Sequence, residues 1–207
     1  SAGAAWLCFL LAALAKAGAF PLHGWVPDCG EKALVPVTAY LPAALDKLLG
    51  IYLLVRSALD LFVLSQAWNT LLMALGALTI LGMVMLALVE HDLKRMLALH
   101  AVSQVGYMIL GIGTGTLVGI AGGLFHMLNN AIYKCCLFLG AGVVERATGT
   151  TDLDRLGGLA TRLPVTFACF LVASLAIAGV PPLSGFASKW MVYHGVLQSG
   201  RAEDGWL

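Results

Sequence analysis

The chain has 207 residues, a formal net charge of +1, 60% hydrophobic and only 11% charged residues, and a mean hydropathy of +0.90. Soluble domains carry about 25% charged residues, so this composition excludes an ordinary soluble domain, and the near-zero charge argues against a nucleic-acid binder. A polytopic membrane bundle remains: a chain of this length holds about six spans of ~20 residues plus loops.

Six hydrophobic segments are expected, at roughly 2–22, 36–56, 68–89, 94–113, 116–143 and 164–198. No stretch alternates with period two for long, so the expected fold is all-α, one membrane domain over 1–207. No signal peptide is evident. The start at Ser1 without Met and the end at Gly205-Trp206-Leu207 suggest a piece of a longer chain.

The first segment carries Lys16 and ends at Phe20-Pro21-Leu22-His23, followed by an expected loop with Trp25, Asp28, Glu31 and Lys32. Trp25 suits an interfacial belt. Lys16 is about 9 Å of helix from Pro21, so it either snorkels to water or serves a buried role. The second segment holds Pro36, Pro42 and the pair Asp46-Lys47, with Lys47 near mid-membrane. Adjacent helical residues point about 100° apart, so each is expected to find a partner on another helix; a buried structural ion pair is the alternative. The third segment, Trp68–Val89, has no charge and ends in the charged turn from Glu90 to Arg95.

The fourth segment places His100, Ser103, Gln104 and Tyr107 at offsets of three, four and seven, hence on one helix face. The fifth does the same with His126, Asn129, Asn130, Tyr133 and Lys134. Polar groups in a bilayer must bond something other than lipid. These stripes therefore bond neighbouring helices or line a file of water, and a neutral imidazole can both donate and accept a proton.

The sixth segment is too long for one straight span: its 34 or so residues would reach roughly 50 Å, against a ~30 Å hydrocarbon core. Pro181 and Pro182 interrupt it, flanked by Gly179 and Gly185, so a broken, discontinuous helix is expected. Lys189 lies four residues past Gly185, with Tyr193 one turn further. A broken helix beside an ionisable group is a device of ion transporters; a plain loop with Lys189 snorkelling is the alternative.

The connections after the first, third and fifth segments collect Lys32, Lys94, Arg95, Arg146, Arg155 and Arg162, against Arg56 and Arg201 on the other side. The positive-inside rule puts the first set in the cytoplasm. The five cysteines, Cys8, Cys29, Cys135, Cys136 and Cys169, contain no C-x-x-C pair. Iron–sulfur or structural zinc ligation has no support, and they read as small apolar packers. No metal site, catalytic residue or bound cofactor is expected.

Lys16, Lys47, Lys134 and Lys189 all fall inside expected spans. Each central lysine costs roughly 2.5–3.5 kcal/mol on insertion scales, and four come to on the order of 10 kcal/mol, comparable to the stability of a domain. They must be hydrated, paired, or neutral part of the time, and burial favours the neutral amine. Such groups can load and release protons.

Five stretches match a known family: AKAGAFPLHGWVPD (15–28), PVTAYLPAALDKLLGIYLLVR (36–56), DLKRMLALHAVSQVGYM (92–108), FHMLNNAIYKCCLFLGAG (125–142) and GVPPLSGFASKW (179–190). In this order they resemble the antiporter-like proton-translocating subunits of respiratory complex I, Mrp antiporters and energy-converting membrane hydrogenases. The resemblance implies the seventh to twelfth helices of a subunit with about fourteen. It implies that Lys16 pairs with a glutamate lying before Ser1. It makes Lys134 the central-helix lysine, with His126 at that helix's polar start, and Lys189 the ionisable residue of the exit half-channel. Many members have a histidine where this chain has Pro42. The relay is then expected to run through Lys47, which suits the hydrogenase-related branch.

The implied function is proton translocation along Lys16, Asp46, Lys47, His126, Lys134 and Lys189, with the two polar stripes and Tyr193 in support. Redox chemistry with NADH, quinone or hydrogen would lie in partner subunits of an electron-transport complex in a bacterial or archaeal plasma membrane. Two alternatives stand beside it: a Na⁺/H⁺ antiporter subunit of the Mrp type, and a structural scaffold whose polar stripes only hold helices together.

Overall fold

The computed structural model describes residues 2–203. Ser1, the end at Gly205-Trp206-Leu207, and the side chains of Pro42 and Arg201 lie outside the described residues. The helices run α1 (Ala2–Ala17), α2 (Trp25–Lys32), α3 (Val35–Tyr40), α4 (Asp46–Arg56), α5 (Gln66–Leu88), α6 (Leu93–Gly113), α7 (Leu117–Thr148), α8 (Leu159–Arg162), α9 (Pro164–Ala178) and α10 (Ser184–Glu203). No strand forms among the described residues; one isolated bridge joins Asp92 to Asp152. An integral membrane protein is what these helices build. Four of its helical stretches are long and apolar enough to span a bilayer: Val35–Leu61, Gln66–Leu88, Leu93–Gly113 and Leu117–Thr148.

Val35–Leu61 is continuous but irregular. Two π-helical turns, Leu41–Leu45 and Ser57–Leu61, bracket α4. The first contains Pro42, whose missing N–H removes a ladder bond, and it delivers Asp46 and Lys47 at its end. A π turn shifts the helix face that follows it.

The first and last expected segments are each broken. α1 and α9 have 16 and 15 residues, only about 24 and 22 Å of helix. The sixth segment breaks at Gly179–Leu183 as expected. The first one corrects the sequence reading: the helix stops at Ala17 rather than near 22, and 25–32 is helix α2 rather than loop. The two breaks share a pattern. Ala17-Gly18-x-x-Pro21-Leu22-x-Gly24-Trp25 recurs as Ala178-Gly179-x-x-Pro182-Leu183-x-Gly185-Phe186. Gly18 and Gly179 hold φ of 69° and 87°, and the Phe20–Pro21 and Pro181–Pro182 bonds are both cis. Positive φ is what only glycine adopts without strain, and it ends the helix there.

α6 is the axis of the bundle and is buried on nearly every face. α5 packs along it, with a face of Leu78, Leu81, Met85 and Leu88 left exposed for lipid. Their backbones touch: a Cβ at Gly106 would lie 2.6 Å from the Gly76 carbonyl oxygen and 2.9 Å from the Ile80 nitrogen. Small residues permit such crossings in membranes.

The loop side holds together through charge. Arg95 Nη1 lies 2.8 Å from Glu31 and its Nε 3.0 Å from Glu90. Lys94 meets Glu145 at 3.1 Å. Asp92 caps α6 at the Arg95 N–H and accepts from the Thr151 hydroxyl. The ends of α2, α5 and α7 thus share one side, as alternate crossing requires.

Gly106→Val should lower stability by about 1–3 kcal/mol through overpacking. Gly82, where a Cβ meets nothing within 4 Å, is the control: Gly82→Val should leave the thermal midpoint of the detergent-purified complex nearly unchanged, while Gly106→Val lowers it.

Candidate functional site

The sequence-selected residues fall into two groups: Lys16 and Asp46 between α1 and α4, and the polar stripes with Lys134 where α6, α7 and α10 meet, with Lys47 buried on α4. Lys47 and Lys134 are 1% and 0% exposed, so neither snorkels. The Lys134 ammonium donates to the Leu97 carbonyl at 2.9 Å. Lys47 Nζ has no hydrogen-bond partner among the described residues, contrary to the expectation that it would find one on another helix. Lys47 and Lys189 are the charged groups that act on Lys134.

Lys16 lies 2.5 Å from Asp46. Among the described residues Asp46 thus supplies a carboxylate for Lys16; the glutamate expected before Ser1 lies outside this sequence. Asp46 faces α1 while Lys47 faces the interior, as their 100° separation dictates.

At the α9–α10 break, the Lys189 ammonium donates to the Ile177 carbonyl at 2.6 Å. It also sits 4.8 Å above the centre of the Tyr107 ring. The amine therefore turns into the bundle. The last carbonyls of any helix lack intrahelical partners and carry the negative end of its dipole; ending α9 at Ala178 creates the acceptor that Lys189 uses. At the other break the Trp25 indole N–H fills the same role, donating to the Ala15 carbonyl at 3.1 Å. Trp25 is thus tied to the break, beyond any belt role.

The two polar stripes face each other. His126 is fully buried, with Nε2 3.2 Å from Gln104 Oε1 and Nδ1 2.9 Å from Ser188 Oγ. The Tyr133 hydroxyl approaches Nε2 at 3.5 Å. The Tyr107 ring lies 5.5 Å from the imidazole, tilted by 55°, and its hydroxyl accepts from Tyr193 at 3.4 Å. Asn129 donates to the Ser184 carbonyl at 3.1 Å, just past the break. Asn130 Oδ1 and His100 Nδ1 are buried without partners among the described residues. His126 and Lys134 share a helix face but not a hydrogen bond; their partners differ.

A cavity of about 230 Å³ lies between Lys134 and the end of α9, lined by His100, Lys134, Ser174, Ile177 and Ala178 among others. Its wall is mostly apolar, with Met96, Leu97, Leu137 and Phe170 completing it, and its polar side chains are His100, Lys134 and Ser174. Ser174 and Ser188 were missed by sequence reasoning. Ser188 is fully buried, and its only sequence signal is its place beside Lys189.

The sequence profile described as NADH:quinone oxidoreductase/Mrp antiporter, TM matches residues 2–202. Hydrogenase-4 component B of Escherichia coli K12 is 39% identical over 98% of this chain and 33% of its own length. NADH-quinone oxidoreductase subunit L of Mycobacterium tuberculosis is 40% identical over 94% and 30%. The Mrp complex from Dietzia sp. DQ12-45-1b contains a chain that superposes with a TM-score of 0.91 at 31% identity, covering 96% of this chain and 37% of that one. The chain spans about a third of the length of these relatives.

Water in this cavity would make labelling site-selective. In a background lacking the native cysteines, Ser174→Cys should react with a water-soluble methanethiosulfonate at least tenfold faster than Leu171→Cys on the exposed apolar face, since only the thiolate reacts. Equal rates would favour a dry scaffold.

Proposed function

Because the chain belongs to the NADH:quinone oxidoreductase/Mrp antiporter transmembrane family, we propose that it carries protons across a membrane as part of a larger multisubunit complex. The observation that supports this most is the row of lysine amines held inside the bundle: Lys47 and Lys134 buried, and Lys189 turned onto the broken end of α9. Structural lysines would be paired with acids; among the described residues neither Lys47 nor Lys134 forms an ion pair, and Asp46 pairs with Lys16.

In this reading the chain crosses the bilayer six times. The broken stretches 2–32 and 164–203 count as one discontinuous span each. As the first and sixth of alternating spans they run in opposite directions, so the shared break motif is carried by antiparallel copies, the inverted-repeat logic of transporters.

Protons enter or leave near Lys16–Asp46 and pass by Lys47 and Lys134. They continue through the water-sized cavity beside His100 and Ser174 to Lys189. His126, Gln104, Tyr107, Tyr133, Tyr193 and the amides Asn129 and Asn130 form the hydrogen-bonded wall of this route, with Ser103 behind Gln104. Lysine suits the task because its ammonium is a compact charge whose proton affinity follows burial and neighbouring charge. The driving reaction belongs to partner subunits, in the plasma membrane of a bacterium or archaeon. No cofactor is assigned to this chain.

A second reading, a Na⁺/H⁺ antiporter subunit, draws on the likeness to the Mrp complex chain. Vesicles holding the parent complex separate the two: proton flux that requires sodium, with no redox substrate, favours the antiporter.

For the main reading, Lys189→Ala in the reconstituted parent complex should reduce protons moved per turnover at least tenfold. Normal pumping stoichiometry in that variant would remove Lys189 from the path. Lys134→Ala should do the same, with assembly checked by the yield of intact complex.

A further inference from the structure

His126 is held at both ring nitrogens, and its partners are themselves committed elsewhere. Ser103 donates its single hydroxyl proton to the His100 carbonyl at 3.0 Å. Ser103 Oγ is then an acceptor, and it takes the Gln104 Nε2–H at 3.1 Å. This orients the amide with Oε1 toward His126 Nε2 at 3.2 Å. A turned amide would set two acceptors against each other at Ser103. An amide oxygen only accepts, so His126 Nε2 carries a hydrogen.

The other side has no such commitment. Ser188 Oγ is 2.9 Å from His126 Nδ1 and 3.1 Å from the Gly185 carbonyl oxygen. One hydroxyl proton faces two acceptors. With His126 neutral, Nδ1 is a lone pair and takes the Ser188 proton. With His126 charged, Nδ1–H donates to Ser188 Oγ, and the Ser188 proton turns to Gly185.

We propose that Ser188 is a positioning residue that couples the charge of His126 to the first turn of α10. Its hydroxyl bonds His126 in the neutral state and bonds back to Gly185 in the charged state. Back-bonding of a serine onto its own helix bends and weakens that turn. This turn is the one that abuts α9, where a Cβ at Gly185 would collide with the Ala176 carbonyl. It also carries Lys189, bonded to Ile177 at 2.6 Å. A proton on His126 therefore reshapes the support of the lysine at the break.

The groups facing the imidazole are few. α6 presents Tyr107 at 5.5 Å and Gln104. α7 itself presents the Tyr133 hydroxyl. α10 presents Ser188 and the charge of Lys189. The coupling rests on the proton-path reading above for its purpose, but its hydrogen-bond logic is independent of transport.

The test is histidine-selective ¹⁵N NMR on the parent complex in lipid vesicles, with His126 assigned as the resonance lost in His126→Gln. Neutral His126 should be the Nε2–H tautomer. Ser188→Ala should lower the pH at which His126 takes its second proton by about one pH unit, because the charge-assisted bond lost is roughly twice as strong as the neutral one. An Nδ1–H tautomer, an unchanged midpoint, or a His126 that never protonates between about pH 5 and 9 would each overturn the coupling. If Ser188→Ala does not assemble, Ser188→Cys replaces it. A smaller shift in the same direction is expected there, and none or an upward one overturns the proposal. Unimpaired transport in His126→Gln would remove His126 from the path while leaving these tautomer results standing.

Discussion

An ammonium group removed from water carries three N–H donors that need acceptors, and this bundle supplies fewer than its lysines require. Among the described residues Lys134 has one hydrogen bond, to Leu97, and Lys47 has none. A carbonyl inside a helix already accepts one bond and offers only its second lone pair, so the fold cannot saturate these amines with backbone. What it provides instead is space, in the cavity beside Lys134 and His100, where Ser174 adds a third polar side chain to a mostly apolar wall. Fully ionised, dry and unpaired, Lys47 would be among the costliest groups a membrane protein can hold. Water beside the amine or loss of its proton would each relieve this cost, and the proposed proton path draws on both.

The broken helices follow from the same constraint. An intact helix satisfies its own carbonyls and has little to give a cation. Stopping α9 at Gly179 frees carbonyls at the negative end of its dipole, and Lys189 takes the Ile177 oxygen. The corresponding stop at Gly18 is filled by the neutral Trp25 indole, while Lys16 turns away to Asp46. The same backbone device is thus used twice with different donors. At one end of the chain the cation is matched by a carboxylate and the break is closed by an indole. At the other the cation itself closes the break.

Much of this is legible in the sequence. The offsets of three, four and seven in His100–Tyr107 and His126–Lys134 placed each set on one face, and those faces do meet. Two prolines between glycines marked the α9–α10 break. The partner of Lys16 was not legible, because pairing between helices thirty residues apart depends on rotation about each axis. The π turn at Leu41–Leu45 shifts that rotation for Asp46 and Lys47. Helix α2 was read as loop because Trp25–Lys32 is short and charged, and its charges meet Arg95 at the bundle end rather than a lipid face. The repeat of 17–25 in 178–186 was open to inspection, and only finding both as breaks showed its meaning. Ser188 carried no signal of its own, since a serine beside a lysine acquires a role only from what faces it.

The charge arrangement along the row has a further consequence. Lys47, Lys134 and Lys189 bear one sign, and both of the others act on Lys134. Like charges in a medium poorer than water repel strongly enough that their protonation states are coupled. A proton arriving at one lysine therefore disfavours a proton on its neighbour. Asp46, at the Lys16 end, is a deep carboxylate that offsets this: it pairs with Lys16 while its charge also acts on the adjacent Lys47. Loosening the Lys16–Asp46 contact would leave that negative charge less offset beside Lys47. The carboxylate at the edge of the bundle thus reaches the centre through the adjacency of residues 46 and 47 in α4, whose side chains point about 100° apart.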